Sequence, residues 1–189
     1  MRKTLIAAST LAAILAVSMV VTPSAFAVTF LTDAEGDTAD PNFDITKAGF
    51  NEFGNPYIKV AGEAGGTEST ESSPAFAYVF AFTNGHHFAV ASHLGFSDSK
   101  EGNGADDWHA HRITTSDDAG GHFACLTGAD DRGKANLHPH RVVLLHTAET
   151  DLDHVATVTI IPDTPTASCP ALVDGSALYV DVLDVAAPA

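Results

Sequence analysis

The sequence predicts an all-β protein, and within that class a two-layer antiparallel β-sandwich of jelly-roll or Ig-like type, with a barrel as the second choice. Its apolar runs are short and are separated by turn residues. The strongest run, Ala75–Phe82, alternates aromatic with small side chains, so both faces are apolar, as in a central strand buried on both sides. No segment longer than about ten residues combines a helical apolar period with helix caps.

Ten strands are predicted along the chain. Asn84-Gly85 follows Ala75–Phe82 and is a strong hairpin signal, so His87–His93 is predicted to be the returning strand. The same short apolar pattern predicts further strands at 28–31, 44–50, 57–61, 108–115, 122–126, 141–147, 154–161 and 177–185. Stretches rich in Gly, Ser, Asp or Pro predict loops at 62–74, 95–107, 128–136 and 162–170.

The N-terminus has the pattern of an export signal. Arg2 and Lys3 precede an apolar stretch, and Ala25-Phe26-Ala27 is a small-residue cleavage site. We therefore predict a signal peptide at 1–27 and a single domain at 28–189, exported and soluble, without membrane insertion after cleavage. The alternative is an uncleaved anchor, because the stretch is about long enough for a short span.

Composition restricts the expected partners. The 24 Asp and Glu residues outnumber the 9 Lys and Arg residues, which gives a formal net charge of −15. Such a surface repels phosphate backbones and anionic lipids, so nucleic-acid and membrane-surface binding are not expected. A hydrophobic content of 45% excludes a fully disordered chain.

Cys125 and Cys169 are the two cysteines of the chain. In an oxidising compartment an even pair is most simply one disulfide, and this is the prediction. The rival interpretation is two free thiols, one of which ligates copper.

Histidines form the main candidate site. His109 and His111 lie two residues apart on a predicted strand, so both side chains point to the same face and can reach one ion. A third imidazole from a neighbouring strand would complete a copper or zinc site, and the hairpin residues His86, His87 and His93 are its nearest source in sequence. For any lone histidine the alternative is a surface or hydrogen-bonded side chain.

A second histidine pair, His138 and His140, flanks Pro139. Proline cannot donate to a strand ladder, so these residues are predicted at a strand start or at a sheet edge. They are further candidate ligands for a transition metal.

An acidic turn near the predicted mature N-terminus is a candidate calcium site. Asp33, Glu35, Asp37 and Asp44 can converge on one hard cation, with Gly36 allowing a tight turn. Their D-x-x-G-D…D-I pattern resembles the opening of secreted β-sandwich modules of the DOMON and carbohydrate-binding type, and the resemblance implies a structural calcium ion. The alternative is a solvated acidic turn.

Three further segments, Ala75–Phe82, Trp108–Arg112 and 157–163, resemble small exported archaeal proteins with a WHAH segment, whose function is uncharacterised. That resemblance implies export and a β-sandwich. Some of those proteins come from organisms with copper-rich envelopes, which adds copper to the expected metals.

The sequence contains none of the nucleophile-elbow, phosphate-loop, dinucleotide or H-E-x-x-H motifs, so no catalytic residue is predicted. The predicted function is therefore an exported metal-binding β-sandwich, structural or metal-scavenging. One alternative is a calcium-stabilised module that binds a cell-surface glycan or protein. The other is a metal-dependent enzyme of unknown reaction.

Overall fold

The protein is all-β, as predicted. The computed structural model describes residues 30–70, 74–93, 108–117 and 123–187, and this part of the chain contains strands and turns but no helix. The strands are β1 (Leu31–Thr32), β2 (Ile45–Phe50), β3 (Pro56–Val60), β4 (Ala75–Phe82), β5 (His87–Ser92), β6 (His109–Asp117), β7 (Phe123–Asp130), β8 (Lys134–His138), β9 (Arg141–Leu145), β10 (Leu152–Asp163) and β11 (Ala177–Ala186). The described residues therefore include no helix able to cross a membrane.

The strands form a five-stranded sheet and a closed six-stranded barrel. The sheet has the order β1-β2-β3-β9-β8, and the barrel has the order β10-β11-β7-β6-β5-β4. All registered pairs are antiparallel. The sheet packs on the barrel wall through one shared core, to which Ile58 and Leu144 of the sheet and Tyr78 and Val155 of the barrel belong. The barrel, the second architecture predicted, is thus present, with one sheet layered on its wall.

Strand β4 is buried on both faces, as its alternation predicted. Tyr78 and Phe80 point into the core shared with the sheet. Ala77 and Val79 point into a second core inside the barrel. A barrel of only six strands is narrow, which explains why the inward side chains are small and the outward ones aromatic.

Glycines with positive φ allow the turns of two strand connections, β4–β5 and β7–β8. The β4–β5 hairpin turns at Asn84-Gly85 as predicted, with Gly85 at φ 79°. The predicted loop at 128–136 is wrong over most of its length, because β7 continues to Asp130 and β8 begins at Lys134. Gly133, at φ 95°, permits the turn between them.

Some predictions fall on residues that the structure does not describe. The predicted signal peptide at 1–27, the first two residues of the predicted strand at 28–31, the predicted loop at 95–107 and His122 all lie outside the described residues.

Candidate metal centre

Strand pairing brings three histidines to one end of the barrel. In the β5–β6 pair, Ala89 is opposite His111 and Ala91 is opposite His109. Both alanines belong to the core inside the barrel, and directly opposed residues share a face, so His109 and His111 point inward. His93 follows β5 two residues after Ala91 and lies on the same face. His109 and His111 therefore share a face, as predicted, and His93 places a third imidazole beside them.

The three imidazoles have the spacing of a metal site. His93 Nε2 lies 3.0 Å from His109 Nε2 and 3.4 Å from His111 Nε2. Together the three residues offer nitrogen atoms that all lie within 4.8 Å of one another. In a tetrahedral zinc site with bonds of about 2.0–2.1 Å, two ligand nitrogens are about 3.3 Å apart. The His93, His109 and His111 group can therefore hold a transition-metal ion.

Burial and a nearby carboxylate orient His111. Its side chain is buried, whereas His93 and His109 are half-buried. His111 Nδ1 faces Asp131, with 3.9 Å between that nitrogen and Oδ1, while its Nε2 faces His93. Metal-bound histidines commonly direct the second ring nitrogen toward a carboxylate, a carbonyl or water, which fixes the tautomer. Asp131 is positioned to do this, although 3.9 Å is an ion-pair distance and not a direct hydrogen bond.

Trp108 anchors the start of β6. Its ring packs 5.0 Å from the ring of Tyr78, and its Nε1–H donates to the Gly65 carbonyl at 3.2 Å. Tyr78 in turn accepts a hydrogen bond from the Gly65 N–H at 3.0 Å. These contacts fix the residue next to His109, so the WHAH segment joins the aromatic core to the histidine group.

The other predicted histidines lie outside that group. His86 is paired with Glu149, with 2.6 Å between Nδ1 and Oε1. Burial raises the pKa of Glu149, but hydrogen bonds with His86 and Asn84 outweigh that effect and leave the pKa lowered. His87 lies on β5 six residues before His93, about 20 Å along an extended strand.

His138 and His140 belong to the five-stranded sheet. His138 ends the edge strand β8, as the position of Pro139 predicted, and His140 lies in the turn to β9. His140 Nδ1 is hydrogen-bonded to the Gly62 carbonyl oxygen. The structure does not bring this pair into the three-histidine group.

The acidic turn forms a second cluster with a different membership from the predicted one. Carboxylate oxygens of Asp33, Asp37 and Asp184 lie within 4.8 Å of one another, and Asp184 comes from β11. Glu35 is exposed and is not part of this cluster. Asp184 is not among the acidic residues that the sequence pattern predicted for this site.

Asp44 stabilises the acidic turn through a hydrogen bond from its buried side chain. It is 2% exposed, and its Oδ2 accepts the Gly36 N–H at 2.7 Å. Its Oδ1 is buried and has no hydrogen-bond partner among the described residues. Asp184 is also buried, and its Oδ2 accepts the Ile45 N–H at 2.6 Å. Burial, together with the neighbouring Asp33 carboxyl, raises the pKa of Asp184 to about 6.

The predicted disulfide is present. Cys125 on β7 is bonded to Cys169 in the segment before β11, across a sequence separation of 44 residues. Both cysteines are buried in a small cluster with Ala177.

The fold and the site together define an all-β protein with a three-histidine group that can hold a transition metal. The chain matches no protein-family model, no curated protein and no solved structure. The two side-chain clusters are therefore the features that indicate a function, and the resemblances to DOMON-type modules and to WHAH-containing proteins stay predictions.

Proposed function

We propose that this protein is an exported binder of a divalent transition metal, copper or zinc, held by His93, His109 and His111 in a structural or scavenging role. The observation that carries the proposal is the spacing of 3.0 Å and 3.4 Å from His93 Nε2 to the other two Nε2 atoms. A neutral imidazole that carries its hydrogen on Nδ1 presents a lone pair at Nε2. One metal ion can accept a lone pair from each.

Ligand chemistry favours copper over zinc. All three donors are neutral nitrogens, and for such ligands the affinity of first-row divalent ions peaks at copper. The net charge of −15 raises the local concentration of any cation near the surface. Export is supported by the disulfide and by the signal-like N-terminal sequence.

The test is metal titration by calorimetry after treatment with a chelator. We expect one equivalent of Zn(II) to bind the wild-type protein, and we expect His109→Ala/His111→Ala to abolish that binding because two of the three ligands are lost. The matched control is His138→Ala/His140→Ala, which removes an H-x-H pair of identical spacing from the other sheet. Equal zinc binding by the wild type and by the His109→Ala/His111→Ala variant would contradict the proposed metal centre.

A second candidate function, a calcium-stabilised interaction module, is favoured by the Asp33, Asp37 and Asp184 cluster. Three carboxylates so close together repel one another unless a cation or a shared proton neutralises them. Calcium prefers such oxygen ligands and tolerates irregular geometry. The ion would join the β1–β2 turn to β11 and so link the sheet to the barrel.

The acidic cluster makes stability depend on pH in the metal-free protein. Because the pKa of Asp184 is raised to about 6 in the folded state from an ordinary value of 3.8, the folded protein binds the proton more tightly than the unfolded chain. That stabilisation is complete below about pH 3.8 and is lost as the pH rises through about 6. We expect the melting midpoint in chelator to fall between pH 5 and pH 7, and calcium to raise it again at pH 7.

Asp184→Asn keeps a side-chain oxygen for the Ile45 N–H and removes the titration, so its melting midpoint should depend less on pH than that of the wild type. Asp181→Asn, an exposed substitution on the same strand, is the matched control for the loss of one charge. Identical pH profiles for the two variants would contradict the assignment to Asp184.

A further inference from the structure

One end of the barrel forms a chamber, partly open to solvent, beside the three-histidine group. Its volume is about 400 Å³, and His93 and His111 form part of its wall. Every strand of the barrel contributes an apolar side chain to that wall, namely Ala75, Ala91, Ile113, Leu126, Ile160 and Leu178. Pockets of about 300–1,000 Å³ with apolar walls and a few polar groups are typical small-molecule sites.

Small side chains create this space. The strands β4 and β5 present alanine at Ala75, Ala89 and Ala91, where larger residues would fill the end of the barrel. Leu172 and Val173, in the segment between β10 and β11, complete the wall and are only half-buried. The chamber therefore has one side formed by barrel strands and another formed by a connecting segment.

The charges on the wall favour a neutral ligand. Besides the histidines, the polar lining residues are Asp130 and Asp131, and the described lining includes no Lys or Arg. Asp130 is paired with Arg132 at 3.2 Å, and Asp131 faces His111. A ligand carboxylate would be attracted by a bound divalent ion but repelled by Asp131 and by the net charge of −15, whereas a neutral donor avoids that repulsion.

We propose that the chamber binds a small apolar molecule that carries one neutral nitrogen donor, and that this nitrogen takes the fourth position on the metal. The inference rests on the proposed metal centre. Three protein ligands leave one position of a tetrahedral ion open. Because two of the three histidines line the chamber, a donor atom inside it reaches the ion while the apolar part of the molecule packs on the alanine-rich wall.

The test uses Co(II)-substituted protein, whose visible absorption reports changes at the metal. The probes are 4-phenylimidazole, imidazole and phenylacetate. The first supplies a nitrogen donor and an apolar ring, the second supplies the nitrogen donor alone, and the third supplies an apolar ring with a charged donor. We expect 4-phenylimidazole to bind about tenfold or more tightly than imidazole, because its phenyl ring is removed from water. Phenylacetate should bind more weakly than 4-phenylimidazole.

Variants separate the chamber from the metal. Leu172→Trp fills the chamber and should remove the preference for 4-phenylimidazole while cobalt and imidazole still bind. The matched control is Ala171→Trp at the exposed neighbouring position, which does not line the chamber and should keep the preference. Ala91→Leu, which fills the same space from the barrel wall, provides an independent test if Leu172→Trp does not fold.

The outcomes are distinguishable. Failure of cobalt to bind overturns the metal centre and this inference with it. Cobalt binding with equal affinities for imidazole and 4-phenylimidazole, or a preference that persists in both filled variants, overturns the chamber inference alone.

Discussion

His93→Ala is expected to lower the zinc affinity by roughly 100-fold or more, since even groups that only orient a metal ligand are worth about 10–100-fold. His93 is the one member of the group that follows β5 and does not belong to the H-x-H segment, and its Nε2 is the atom that lies near both other imidazoles. Competition with a chromophoric chelator measures the loss. This variant tests whether the two strands share one ion.

Two further variants test whether the loss of zinc affinity is specific to His93. His86→Ala removes an imidazole from the β4–β5 turn and breaks the pair with Glu149, but it should leave the zinc affinity unchanged because His86 lies outside the group. Asp131→Asn should lower the affinity by about tenfold, the lower end of the range for a group that orients a ligand, because 3.9 Å is long for a direct hydrogen bond. Wild-type affinity in His93→Ala would show that β6 alone holds the metal.

The sequence pattern predicted two of the three histidines of the group as a pair. Since side chains two apart on a strand share a face, His109 and His111 had to point the same way wherever β6 lay. The identity of the third histidine depends on which strand pairs with β6 and in which register. That pairing is a long-range property, and the hairpin offered His86, His87 and His93 as alternatives that its sequence alone did not separate.

The sequence pattern did not predict Asp184 as a member of the acidic cluster, because a β-bulge in the β10–β11 pair changes the face to which the later side chains of β11 point. Along β11, Leu178, Val180 and Val182 face the core inside the barrel. The pairing with β10 shifts between Thr157 and Val158, so that Asp184 and Val182 are opposite consecutive residues of β10. Beyond this bulge the side chains change sides, and Ala186 joins the core shared with the sheet. Strict alternation along β11 therefore could not place Asp184 beside Asp33.

Strand β8 was missed for a different reason. Its exposed residues Lys134, Asn136 and His138 alternate with the half-buried Ala135 and Leu137. An edge strand that buries so little apolar surface has the composition of a loop. Strand β4 was the clearest prediction because it is buried on both faces, and a strand of that kind must be apolar throughout.

The Cys125–Cys169 disulfide is expected to contribute about 4 kcal/mol to the free energy of unfolding, from the loss of chain entropy when a loop of 44 residues is closed. The bond lies where the barrel has its shortest ladder. Strands β7 and β11 share only two residue pairs, Leu178 with Leu126 and Tyr179 with Cys125. Strands β10 and β11 share nine. Urea unfolding with and without reductant measures the difference.

Reduction should separate stability from metal binding. The three histidines lie on β6 or directly after β5, whereas the disulfide joins β7 to the segment before β11, so the reduced protein should still bind zinc where it remains folded. Cys125→Ala/Cys169→Ala should reproduce the lowered stability and retain one equivalent of zinc, which excludes reductant binding to the metal as the cause. Unfolding midpoints that agree between the oxidised and reduced proteins would mean that strand pairing and the apolar core hold the β7–β11 seam without the covalent bond.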